Sequence, residues 1–147
     1  MGSEILVKEA SIEEVVKITP LIIEFGASYP KEYFEERYNA KDPLIIVGYI
    51  DGLAVGYLVG YDKFNDGSFY CRMAGVAPEA RNRGVLKMLM AYEDQWAKTK
   101  GYNKIKIKTR NSRRAMLTYL VKYWFSLTEV VQHADISEHR ILLEKSL

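Results

Sequence analysis

The stretch Val76-Ala77-Pro78-Glu79-Ala80-Arg81-Asn82-Arg83-Gly84-Val85-Leu86 joins a strand-like run to an amphipathic helix. A strand, a basic turn with one glycine, and a helix start together form a socket for phosphate. The first amides of a helix have no intrahelical acceptor, and the helix dipole favours an anion there. Arg81 and Arg83 add fixed positive charge beside them. A nucleotide P-loop is disfavoured, because the turn has one glycine and no Gly-Lys-Ser/Thr. The bland alternative is a solvated basic loop, so the surrounding elements must decide.

Those elements alternate in type. Residues 4–8 read as a short strand. Ser11 and Glu14 make a capping box for a helix whose apolar face carries Ile12, Val15, Val16, Ile22 and Ile23, with Pro20 kinking or splitting it and Gly26 ending it. Pro30 fits the first turn of a second helix with Tyr33, Phe34, Arg37 and Tyr38. Residues 44–50 and 53–61 are strands joined by Asp51-Gly52, a type I′ hairpin signal. Asn65-Asp66-Gly67 marks another turn before a strand from about Phe69 to Val76, which completes an antiparallel meander. The helix after Gly84 carries Val85, Leu89, Tyr92 and Trp96 on one stripe, with Leu86, Met90 and Ala97 beside it and Gly101 as its C-cap. Lys104 to Thr109 alternates as a strand, Ala115 to Tyr123 is a helix, and residues 125–133 and 139–144 form a closing hairpin. The order is β-α-α-β-β-β-α-β-α-β-β, one mixed α/β domain over residues 1–147 with a mostly antiparallel sheet.

Composition excludes some classes of function. Apolar content of 48% and charged content of 27% fit an ordinary globular chain rather than a disordered one. No apolar run has the length of a membrane span and no signal peptide is expected, so the expectation is a cytoplasmic protein without a membrane partner. Cys71 is the single cysteine, which forbids an internal disulfide. A net charge of +2 argues neither for nor against nucleic-acid binding.

The element order, with an arginine-rich turn after the fourth strand, resembles the GNAT superfamily of acyl-CoA-dependent N-acyltransferases across nearly the whole chain. Arg81, Gly84 and Leu86 occupy the fixed positions of its signature Arg/Gln-x-x-Gly-x-Gly/Ala, preceded by Val76-x-Pro78-Glu79. Asn111, Ala115 and Phe125 match a second signature, an Asn after the fifth strand and an Ala-containing helix that ends in Gly-Phe. Trp96-Ala97-Lys98 and Gly101-Tyr102 resemble the third helix and its exit. Two positions depart from the pattern. Leu86 replaces a second small residue, which is harmless if the side chain enters the core and only the N–H faces the ligand. Trp124 stands where Gly usually precedes Phe125, and is expected to alter the start of the sixth strand.

The resemblance implies an N-acetyltransferase that uses acetyl-CoA as cosubstrate and no metal. Acyl-CoA would lie where the fourth and fifth strands splay apart. The backbone of Ala74, Gly75 and Val76 would bond the pantetheine arm. The amides of Arg81, Asn82, Arg83, Gly84, Val85, Leu86 and Lys87 would hold the pyrophosphate, and Asn111 would bond the pantetheine. A primary amine, on a small molecule, a peptide or a protein, would attack the thioester directly. A strand N–H would stabilise the oxyanion and a tyrosine would protonate the thiolate. Tyr119 is the candidate acid when counted from Ala115, whereas counting back from Phe125 gives Leu120. A phenol titrating near pH ~10 suits donation to a thiolate. The fourth strand, Tyr70-Cys71-Arg72-Met73, lacks the carboxylate base of many members, which leaves Glu24, Tyr29 or a water chain to take the ammonium proton. A homodimer is expected by analogy.

Competing readings stand beside these. A domain that binds acyl-CoA without catalysis, as a sensor or interaction module, is the main alternative, motivated by Leu86, Trp124 and the missing base. Lys104, Lys106, Lys108 and Arg110, with Arg113 and Arg114 behind, make either a nucleic-acid or 3′-phosphate groove or, preferred here, a solvated strand face. Cys71 is read as a small buried hydrophobe before an acyl carrier, and His133 and His139 as structural before basic. The aromatic residues 29, 33, 34 and 38 pack the second helix on the sheet or line an acceptor pocket, and the glutamates 24, 32, 35 and 36 attract a cationic amine or simply face solvent.

Overall fold

The computed structural model describes residues 4–22, 30–38 and 42–147. Among these, seven strands form one sheet: β1 (Ile5–Glu9), β2 (Leu44–Ile50), β3 (Leu53–Tyr61), β4 (Ser68–Val76), β5 (Lys104–Arg110), β6 (Ser126–Val131) and β7 (Arg140–Ser146). Four α-helices accompany them: α1 (Ile12–Ile18), α2 (Lys31–Tyr38), α3 (Val85–Thr99) and α4 (Arg114–Lys122). The sheet order is β1-β2-β3-β4-β5-β7-β6. Every pairing is antiparallel except β4 with β5. The expected succession of strands and helices is therefore present. The closing hairpin enters the sheet in reverse, so that the last strand lies beside β5.

Local chemistry explains the element ends. Ser11 Oγ accepts from the Glu14 amide at 3.4 Å and starts α1. The expected reciprocal bond of a capping box is absent, because the Glu14 carboxylate accepts from the Tyr49 hydroxyl at 2.6 Å instead. Pro20 converts the end of this helix into a 3₁₀ turn over Thr19–Leu21. Ile23 and Gly26 lie outside the described residues. Asp51 and Gly52 both have positive φ, 49° and 84°, as the β2–β3 hairpin requires.

The two faces of the sheet carry separate cores. On one, Val85, Leu89, Met90 and Ala97 of α3 and Leu120 of α4 pack on Leu44, Leu58, Phe69, Ile105, Ile107 and Leu143. On the other, Val15 and Ile18 of α1 and Phe34 of α2 pack on Val47, Tyr57, Val59 and Met73. Phe34 is thus a core residue, which favours the packing reading of the second helix. Helices α1 and α2 cover the β2–β4 half of their face, and the β5–β7 half of that face is lined by charged side chains.

Candidate active site

The site begins where two strands part. β4 pairs with β5 only from Ser68↔Lys104 to Cys71↔Ile107, although β4 runs on to Val76 and β5 to Arg110. A bulge lies at the same level. Val59 opposes Met73 and Gly60 opposes Cys71, so Arg72 is an extra residue in β4. Beyond it, β4 stays bound to β3 through Gly56↔Val76. Its other edge, from Arg72 to Val76, has no strand beside it among the described residues. Ala74 and Gly75 are half-buried there. That free edge offers the backbone groups an extended ligand needs.

The basic turn stands at the wide end of this opening. A 3₁₀ turn at Pro78–Ala80 leads to Arg81, which is extended. Asn82 then has φ 62° and Gly84 φ 92°. A left-handed residue next to a right-handed one can turn successive amides toward a common anion. Gly84 caps α3 without a side-chain bond, so the amides of the first helical turn stay available. Leu86 is half-buried and packs against the core, as its harmless placement requires. The Arg81 Nε donates to the Val76 carbonyl at 3.0 Å, so this arginine also fastens the turn to β4. Lys87 extends its ammonium over the Tyr123 ring, 5.8 Å from the centroid.

Tyr119 is half-buried on α4, its ring 4.5 Å from that of Tyr123. Burial first, then Tyr123 and Asp94, push its phenol above the usual tyrosine range, so it holds its proton. Leu120 is fully buried in the core. Of the two positions reached by counting from either end of the helix, only Tyr119 offers a hydroxyl and partial access. Asn111 has structural partners: its Nδ2 donates to the Ile136 carbonyl at 3.1 Å and its Oδ1 accepts from Arg114 at 3.3 Å. It ties the turn after β5 to the β6–β7 connection. Glu24 and Tyr29 lie outside the described residues.

Several competing roles lose their physical basis. Cys71 is buried, and burial pushes its thiol well above the ordinary value, which is the opposite of an activated nucleophile. His139 Nδ1 accepts from the His133 amide at 3.0 Å, so the two histidines fasten one loop. Lys104, Lys106 and Arg110 meet Glu144, Asp66 and Glu138 at 3.4, 2.8 and 3.6 Å, a screened surface rather than a bare groove. Trp124 keeps the left-handed backbone its position demands, φ 78°, with its side chain 82% exposed. The residue adopts the positive φ that a glycine there would permit, and β6 begins two residues on, at Ser126. The cost is backbone strain.

The amino-acid pattern conceals one feature of the site. Glu93 on α3 is fully buried beside Cys71, at the level where β4 and β5 part, and neither of its carboxylate oxygens has a hydrogen-bond partner. Burial, followed by the Asp94 charge, raises it from 4.5 to about 8, while Cys71 and Lys145 act the other way without offsetting it. Positions 85, 89, 93 and 97 form one buried stripe. Helical spacing alone marks Glu93, but its polarity hides it.

The sheet is mixed and parts between its two parallel strands, with the basic turn and the start of α3 following the far end of β4. The chain belongs to the acetyltransferase (GNAT) family, whose description it matches over residues 15–122. No curated protein matches it in sequence. Among solved structures it is similar to the ribosomal-protein-S18-alanine N-acetyltransferase from Escherichia coli, with TM-score 0.82, 11% identity, and coverage of 97% of this chain and 94% of that one. The IAA acetyltransferase from Bacillus cereus gives TM-score 0.79 and 17% identity over 98% and 100% of the two chains. A GNAT family acetyltransferase from Elizabethkingia anophelis with acetyl-CoA bound gives 0.75 and 21% over 97% and 98%. At these identities the likeness is one of fold. Among the described residues no helix is long and apolar enough to cross a membrane.

Proposed function

We propose that the protein is an N-acetyltransferase that moves an acetyl group from acetyl-CoA to a primary amine by direct attack. The observation that carries this is the parting of β4 from β5 beyond Cys71↔Ile107, with the left-handed Asn82–Gly84 turn leading into α3 at its wide end. The outward backbone of Ala74 and Gly75, continued by Val76, whose carbonyl already accepts from Arg81, would pair with the pantetheine arm as an added strand. The amides from Arg81 to Lys87 would hold the pyrophosphate. A β4 amide next to the bulge would stabilise the oxyanion, and Tyr119, kept protonated by burial, would donate to the departing thiolate. The acetyl-CoA bound in the Elizabethkingia anophelis relative supports the choice of donor.

Calorimetric titration with acetyl-CoA, followed by thiol detection over an amine panel, tests this. One-site binding with amine-dependent thiol release is expected. Binding without release from any amine would favour the non-catalytic acyl-CoA-binding alternative, and no binding at millimolar ligand would defeat both.

A further inference from the structure

We infer that donor binding is coupled to proton binding at Glu93: the carboxyl set between α3 and Cys71 must carry its proton for the arm of β4 beyond it to lie in place for acetyl-CoA. This rests on the donor site proposed above. Glu93 is fully buried, and neither carboxylate oxygen has a hydrogen-bond partner among the described residues. It lies beside Cys71 of β4. Cys71 opposes Ile107 in the last β4–β5 pair. The carboxyl therefore sits at the point where the opening starts.

Little around it would hold a negative charge. Asp94, the next residue on α3, opposes one, whereas Cys71 of β4 and Lys145 of β7 favour it. Lys145 is already paired with Asp94. Tyr119 of α4 feels Asp94 as well, and burial keeps its phenol neutral. The core side chains of β2, β3 and β5 on this face are apolar, among them Ile46, Leu58 and Ile107. Among the described residues Glu93 is the single buried carboxylate.

An unpaired carboxylate is too costly to keep in such a core. Water reaches this one if α3 and β4 separate beside Cys71. β4 is least supported there. β5 has left it, and Arg72 is an extra residue in the strand. From Arg72 to Val76 the strand is held by β3 on one edge and by the α3 core, where Ala74 and Val76 pack. A separation at Cys71 thus shifts the arm whose backbone would pair with pantetheine. Acetyl-CoA on that arm holds the seam closed. Linkage is reciprocal: a ligand that favours the closed seam favours the proton, and loss of the proton weakens the ligand by the same factor. With a folded value of about 8 for Glu93, the change falls at mildly alkaline pH.

The test is calorimetric titration of acetyl-CoA into wild type and Glu93→Gln from pH 6.5 to 9.5. Two buffers of different ionisation enthalpy at each pH give the protons taken up, and circular dichroism checks that both proteins stay folded. The ligand's own titration is common to both, so the difference isolates Glu93. Relative to the variant, wild type should lose affinity at least about fivefold between pH 7 and 9.5, the low end of typical coupling. Near pH 8.5 it should take up part of a proton on binding that the variant does not. Glu93→Met, uncharged and of similar volume, serves if the amide is not accepted in the core. Equal pH profiles, or a loss in the variant that is the same at every pH, would overturn this inference and leave the donor site standing. Folded wild type that binds no acetyl-CoA at any pH would tell against the donor site and this inference with it.

Discussion

Glu93 should make the protein's stability depend on pH in a direction opposite to that of most carboxylates. Its folded value, about 8, lies above the ordinary 4.5 of an exposed glutamate. Below pH ~4.5 the carboxyl is protonated in both folded and unfolded chains and contributes nothing to the difference. Between the two values the folded state keeps a proton that the unfolded state releases, so stability is lost as pH rises. One proton per molecule makes this a factor of about ten in the folding equilibrium per pH unit, and at pH 7 the accumulated loss is about 3 kcal/mol. Glu93→Gln keeps the shape and removes the titration. It should stabilise the protein at pH 7 by up to that amount, which for a chain of this size raises Tm by roughly 6–12 °C.

The assay is urea unfolding of wild type and variant at several pH values from 5 to 8. The difference between the two should grow across the window and level off near the folded value. Every other titrating group is common to both proteins, so the difference isolates Glu93. Parallel stability curves, with no change in the gap, would refute the argument that this carboxyl is folded in its neutral form.

Other expectations concern the proposed ligand site and its frame. Gly84→Val places a β-branched residue at φ 92°, where the nearest foreign atom is 3.9 Å away, so the strain is in the backbone and not in the packing; acetyl-CoA affinity should fall about tenfold, about 1.4 kcal/mol, and unchanged affinity by calorimetry would remove the phosphate role of the turn. Tyr119→Phe should lower kcat about a hundredfold with acetyl-CoA affinity near wild type, whereas full activity in steady-state assays would move the acid elsewhere. Trp124→Gly should relieve the strain at φ 78° without losing buried contacts, and stabilise the fold by about 1 kcal/mol in denaturant titrations; destabilisation would mean that the exposed indole has an unrecognised partner.

How much of this was legible in the sequence follows from the range over which each feature is determined. The β2–β3 hairpin depends on two adjacent residues, Asp51 and Gly52, and both adopt the backbone their types favour. The α3 stripe depends on spacing within fifteen residues: Val85 and Leu89 are buried as expected, Met90 and Ala97 beside them are buried too, and Tyr92 and Trp96 of the expected stripe are half-buried against the same core. Glu93 breaks the pattern because a local rule assigns a carboxylate to water, and only the approach of β4 across α3 overrides it. The opening is less local still. Its narrow end is set by a bulge at Arg72 that has no residue signature, and by a parallel register joining strands on either side of the α3 crossover. Arg72 and Lys108 come together only through that register. The charges of the fifth strand were visible in sequence, but not the fact that one of them stands at the mouth.

Under the proposed mechanism the sheet separates two proton problems. On the α3 and α4 face, burial holds the Tyr119 phenol neutral, so a proton is available for a departing thiolate. On the other face, the attacking amine must lose its ammonium proton, and β4 offers no carboxylate there to take it. A single general base serving both sides would have to reach through the sheet, and the Tyr70–Met73 segment supplies none. The absence of a carboxylate there, read in isolation, suggests a disabled enzyme. The proposed transfer instead needs water or a group beyond β4 to take that proton, and a kcat/KM that rises with pH as the free amine forms would mark solvent as the acceptor.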